Sequence, residues 1–227
     1  METSGVNDPL RRAITRLLGR VRAGDRAAFD ELIEILYEEL KYLAGAQRRG
    51  WHGADTLNTT ALVHEAYEKL AAQDKPAWAS RAHFRSAAAR AMRQILVDYS
   101  RAQRAAKRGG GLARVSLDEL RALDSGATFS GQHTETLLAL DESLTRLAAI
   151  DERQTRVVEC RFFGGMTIQE TAESLRISAA TVQRDWAMAK AWLYRDMQRA
   201  SGSSAEQQMG VDKGMGRTSR GGSPPLG

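Results

Sequence analysis

The sequence predicts an all-α protein of two small helical domains joined by a flexible linker, the C-terminal one a helix-turn-helix. Three observations predict it. Alanine occurs 35 times, whereas valine and isoleucine together total 16, a balance that favours helices over sheets. Only four prolines occur, and none lies between Pro76 and Pro224, so long stretches are free of helix breakers. Apolar residues recur at helical spacing on both sides of a Gly-, Ser- and Thr-containing stretch, which places a linker between two helical segments.

The elements follow in order. Asp8 can cap a first helix with Pro9 at its first position. Ile14, Leu17, Leu18 and Val21 then fall on one face. Gly24 and Asp25 interrupt and recap, and Phe29, Leu32, Ile33, Leu36, Tyr37, Leu40 and Leu43 continue the helical period. Residues 45–55 read as a loop. The segment ALVHEAYEKL makes a short helix behind the cap candidates Asn58, Thr59 and Thr60, with Val63, Ala66, Tyr67 and Leu70 inward. After Lys75 and Pro76, a long helix runs from about Arg81 to Arg108, with Phe84, Ala88, Ala91, Ile95 and Tyr99 on one stripe. Gly109, Gly110 and Gly111 stop it.

These elements make a first domain over residues 8–111. Residues 112–134 form the linker, because a structureless loop of that length inside one compact domain is unusual. The second domain spans 135–200. Leu137, Leu140, Leu144 and Leu147 recur at spacings of 3, 4 and 3, and a second helix covers roughly 152–163 before Gly164 and Gly165. Residues 201–227 hold seven glycines and little apolar periodicity, the signature of a disordered tail.

The sharpest local signal is MTIQETAESLRISAATVQRDWAMAKAWL. Thr167 and Glu170 match a capping box. Ile168, Ala172 and Leu175 give a short apolar face, Arg176 and Ile177 the turn, and Ser178 the next cap. Val182, Trp186, Ala189 and Leu193 then share a stripe. Two helices with a tight turn, the second longer, make the helix-turn-helix layout. Arg176 stands where such turns usually carry glycine at positive φ, at a cost on the order of 1 kcal/mol. The layout puts the first turns of the second helix toward base edges. The candidate duplex contacts are Ser178, Ala180, Thr181, Gln183 and Arg184, with Lys190 placed for a phosphate. Arg184 suits guanine, Gln183 adenine, and Thr181 a phosphate or a thymine methyl.

Charge is unevenly spread. The chain carries a net +5, with 27 arginines against 6 lysines. Residues 81–108 alone sum to +7 through Arg81, Arg85, Arg90, Arg93, Arg101, Arg104, Lys107 and Arg108, against only Asp98. Such a stripe can neutralise a phosphate backbone. Trp78 and Phe84 lie beside it, and an aromatic next to a basic groove suits unstacked bases. Residues 25–40 carry six acids against Arg26, a solubilising surface or a second kind of partner face.

Catalytic constellations are poor. The pair His64–Glu65 lacks the second histidine of a zinc-protease signature, Glu68 standing there instead. No phosphate-loop, serine-hydrolase or dinucleotide fingerprint occurs, so no catalytic residue, metal ligand or cofactor is expected. Cys160 is the only cysteine, which excludes an intramolecular disulfide and a Cys-rich zinc cage. No apolar run is long enough for a membrane span, and METSGVNDPLRRAI lacks the apolar core of a signal peptide. The expected location is the cytoplasm, without a membrane partner.

Taken together, GDRAAFDEL, ALVHEAYEKL, RAHFRSAAARAMRQILVDYSRAQRAAKRGGG and RFFGGMTIQETAESLRISAATVQRDW resemble, in the family's order, the bacterial sigma factors of the extracytoplasmic-function type. The likeness covers roughly residues 10–197. It implies a promoter-recognition subunit that binds core RNA polymerase at its clamp and flap, reads promoter DNA at the −10 and −35 elements, and catalyses no bond chemistry itself. The first domain would correspond to region 2. There the outward contacts of ALVHEAYEKL to polymerase would be His64, Glu65, Glu68 and Lys69, His64 replacing the glutamine of many members. Trp78, Arg81, Arg85, Arg90, Arg93, Arg101 and Arg104 would serve the opened −10 strand. The C-terminal unit would correspond to region 4 and read the −35 duplex through Ser178, Ala180, Thr181, Gln183, Arg184 and Lys190. An anti-sigma factor is a further partner the likeness allows. Two other readings remain beside it: a free-standing helix-turn-helix regulator that needs no polymerase, and a metal-dependent hydrolase built on His64 and Glu65.

Overall fold

The computed structural model describes residues 7–49, 57–73, 76–106 and 134–214, and every element among them is helical. The order is α1 (Asn7–Arg22), α2 (Arg26–Arg49), α3 (Thr59–Ala71), α4 (Arg81–Ala106), α5 (Thr134–Ile150), α6 (Glu152–Val158), a π-helical turn (Glu159–Phe163), α7 (Ile168–Leu175) and α8 (Ala179–Gly214). The expected linker lies outside the described residues, apart from Thr134, which opens α5.

Local chemistry sets most boundaries. Between α1 and α2, Gly24 takes φ 90°, and Asp25 accepts a hydrogen bond from the Ala28 N–H at 3.0 Å. Asn58 caps α3 by accepting from the Ala61 N–H at 2.9 Å. Asp151 caps α6 through the Gln154 N–H, and α6 runs on into the π turn as far as Phe163. Gly164 then passes so close to the Cys160 carbonyl that a Cβ there would sit 2.6 Å from its oxygen. Only glycine fits that turn without a backbone shift.

Three expectations are corrected. The loop expected over residues 45–55 is helical as far as Arg49, the end of α2, and residues 50–55 lie outside the described residues. Ala44, Ala46 and Gln47 are buried, and the Gln47 amide donates to the Ala89 and Phe163 carbonyls at 3.0 and 3.1 Å; burial outweighs the loop signal of Gly45. The apolar face expected on α7 is half-exposed, and Thr171 and Ser174 are its buried residues instead. The Thr171 hydroxyl tolerates this by donating to the Thr167 carbonyl at 2.8 Å. The tail expected from residue 201 begins in helix, since α8 reaches Gly214; Ala205, Glu206, Gln207, Gln208 and Met209 are all good helix formers.

One apolar core runs through both halves of the chain, from Ile14 on α1 to Met197 on α8. Helix α4 is its axis. It packs on α2 and α3 on one side and on α5, the π turn and α7 on the other. That double burial explains why so much of α4 is alanine: Ala87, Ala88, Ala89 and Ala91 are all buried, and small side chains let helices approach on both sides.

Candidate nucleic-acid interface

The α7–α8 hairpin is built from backbone chemistry outward. Thr167 accepts from the Glu170 N–H at 3.1 Å, and the Glu170 carboxylate accepts from the Thr167 N–H at 2.7 Å. Arg176 ends α7 in the left-handed region, φ 55° and ψ 43°, and its neighbour Ile177 donates back to the Ala172 carbonyl at 3.1 Å. Ser178 caps α8 through the Thr181 N–H at 3.1 Å, its hydroxyl 2.8 Å from that of Thr181.

Helix α8 turns Val182, Ala189 and Leu193 inward. Ala180, Gln183, Arg184, Ala187 and Met188 are exposed, and Thr181 is half-buried. The Arg184 side chain is 66% exposed, and its one ion-pair contact is a loose 4.0 Å approach to Asp185. Lys190 leans its ammonium over the Trp186 ring at 5.4 Å, and burial lowers its pKa. Behind this face Asp185 is buried and takes a two-pronged contact from Arg153 on α6, 2.6 Å through Nε and 3.3 Å through Nη2. The exposed face is therefore carried on a helix pinned from the back. Sequence reasoning missed Arg153 and Asp185, although an acid on the inward stripe between Val182 and Ala189 was the available signal.

The basic residues of α4 are less uniform than their spacing suggests. Arg90 is exposed. Arg81 is exposed and pairs with Glu39 at 2.8 Å. Arg101 reaches Asp141 at 3.0 Å, and Arg104 is half-buried. Arg85 is largely buried between Glu39 and Glu170. Arg93 is buried too, donating to Asp141 at 2.6 Å and Glu159 at 2.9 Å. Arg85 and Arg93 are drawn into ion pairs because α4 is covered on two sides, whereas Arg81 and Arg90 face solvent. Trp78 is only 3% exposed; Phe84 meets it edge-on at 5.1 Å and Phe29 lies at 5.9 Å. In this arrangement it is a core residue with no face open to a base.

On α3, His64 and Glu68 are exposed and 3.3 Å apart, and Lys69 pairs with Asp98 at 3.7 Å. Glu65 accepts from the Tyr99 hydroxyl at 2.7 Å, which raises the Tyr99 pKa. Among the described residues no group of three or more His, Cys, Asp and Glu side chains is gathered as for a metal ion.

A match to the ECF sigma factor family model covers residues 11–199, nearly the whole of both helical halves. The chain belongs to the ECF sigma factor family. No curated protein and no solved structure matches it significantly. As an ECF sigma factor the protein acts in transcription initiation, with core RNA polymerase and promoter DNA as its partners. Sigma factors are initiation factors, not enzymes. No described helix is long and apolar enough to cross a membrane.

Proposed function

We propose that this sigma factor reads the −35 duplex through the first turns of α8 and captures the −10 strand with α4 and the segment before it. It docks on core polymerase through the outward face of α3 and through the C-terminal unit. The observation that carries this reading is the exposed Ala180, Gln183 and Arg184 at the start of a helix fixed from behind by Arg153 and Asp185. Small, amide and guanidinium side chains at the N-terminal turns of such a helix are the equipment for major-groove readout. His64, Glu65, Glu68 and Lys69 supply the polymerase contacts of α3, and an anti-sigma factor is the natural antagonist of the same surfaces.

The −10 role requires a change of arrangement. Elements about 25 base pairs apart, at about 3.4 Å per pair, lie roughly 85 Å from one another. Here α4 and the C-terminal helices are in direct contact, through Arg93–Asp141, Arg93–Glu159 and Arg85–Glu170. Reading both elements together means parting this seam, with residues 112–134 spanning the gap. Once parted, Arg93 loses both its carboxylates, Arg85 keeps only Glu39 and Arg101 only Asp98, and all three join Arg81, Arg90 and Arg104 for phosphate contact. Trp78, on the loop before α4, serves by supporting it or by leaving the core.

The test is footprinting of promoter DNA with chain and core polymerase, separately and together. Protection of two elements, and strand opening only in the mixture, is expected. Inserting five base pairs between the elements should abolish transcription. Protection of a single duplex site by the chain alone, with no effect of polymerase, would make it a free-standing regulator.

A further inference from the structure

Where the two halves meet lies a half-open cavity of about 520 Å³, which shares only Arg90 with the promoter-reading proposal. Both halves line it. Arg22 comes from the end of α1, His83 and Arg90 from α4, Arg156 from α6, Glu159 from the π turn, and Arg176 from the turn before α8. The single carboxylate in this set, Glu159, is already engaged by Arg93 at 2.9 Å. Arg156 is paired with Glu152 on its own helix. Arg22, Arg90 and Arg176 have no carboxylate partner among the described residues, and all three are exposed to solvent. His83 accepts from the Ala79 N–H through Nδ1 at 3.3 Å, which leaves Nε2 as its donor. The cluster acts as one field: burial first, then Arg90, Arg176 and Arg156, lower the His83 pKa.

We propose that this cavity binds a small anion bearing a diphosphate or longer phosphate chain, held by Arg22 and Arg90 from one half and by Arg156 and Arg176 from the other. Guanidinium forks match phosphate oxygens in pairs. Several uncompensated guanidiniums call for a multiply charged ligand rather than a lone carboxylate. The volume falls in the range of small-molecule sites, which reach about 1,000 Å³, and holds a nucleotide-sized molecule but not a duplex. An anion touching both halves favours the closed arrangement over any open one. On the promoter-reading proposal above, it therefore opposes promoter binding.

The test needs neither polymerase nor a promoter, so its failure leaves the sigma reading untouched. Inorganic pyrophosphate is titrated calorimetrically into the full chain, and into the Arg90→Ala, Arg176→Ala and Arg16→Ala variants, each first checked for its thermal midpoint. Arg16 is exposed on α1 and does not line the cavity. One site per chain is expected, weakened at least fivefold by either Arg90→Ala or Arg176→Ala and unchanged by Arg16→Ala. A short single-stranded oligonucleotide is run in parallel. The proposal is overturned if pyrophosphate gives no saturable binding at millimolar concentration, or if all three variants bind alike. It is equally overturned if only the oligonucleotide binds, since the cavity would then be part of a nucleic-acid track.

Discussion

Arg176 carries two loads at one position. Its left-handed backbone, φ 55°, costs on the order of 1 kcal/mol for a residue with a Cβ, while its guanidinium lines the seam cavity. The change Arg176→Gly separates them. Scanning calorimetry should show a thermal midpoint raised by roughly 2 °C, the effect of up to about 1 kcal/mol in a chain of this size, while pyrophosphate binding weakens. His83 gives a prediction with a sign. Its folded pKa lies below the ordinary value near 6.5, so the unfolded chain takes up the proton first. Its contribution is present above that value and is lost as pH falls through it. Arg22, Arg90, Arg156, Arg176 and Glu159 face the same cavity, and Glu159 is paired with Arg93 at 2.9 Å. Thermal midpoints measured from pH 8 to 5.5 should fall more steeply in the parent chain than in His83→Gln, and pyrophosphate should flatten the parent's slope.

Helices α7 and α8 were legible at nearly every capping position. Thr167, Glu170, Arg176 and Ser178 do what their spacing implies, because a cap depends on backbone groups three or four residues away. Thr167→Ala should lower stability by about 1 kcal/mol, seen as an earlier denaturation midpoint. The buried face of α7 was not legible, because Thr171 and Ser174 are covered by a partner helix that hydropathy cannot locate. For α8, Arg184→Ala should weaken −35 duplex binding by about 1–3 kcal/mol in fluorescence anisotropy and leave the thermal midpoint unchanged. Asp185→Asn should lower both, since Asp185 is buried and holds the helix through Arg153. Equal loss of affinity on every DNA sequence tested would demote Arg184 from base reader to phosphate contact.

At the scale of the whole molecule, the seam is held by ions as well as by apolar contact. Arg93 and Arg101 face Asp141 and Glu159, a balanced set of two guanidiniums and two carboxylates. Removing one partner of a buried pair leaves the other uncompensated, at a cost of about 3–5 kcal/mol. Arg93→Met should therefore loosen the two halves, seen in solution scattering as a larger radius of gyration. It should also speed promoter binding if closure restrains it. An unchanged radius would show that the apolar core alone holds the halves together.

Composition and periodicity determined the helical class, the short-range caps and the α7–α8 hairpin, because each rests on contacts within about one helical turn. The family was legible for the same reason, its motifs being runs of local sequence. Tertiary structure decided what those runs could not contain: that Trp78 is core, that Arg85 and Arg93 are buried in ion pairs instead of lying on an open stripe, and that Gln47 extends α2 by reaching Phe163. It also gathered Arg22, Arg90, Arg156 and Arg176 around one cavity. Burial and pairing depend on which distant segment covers a side chain, and charge or hydropathy read along the chain holds no record of that neighbour.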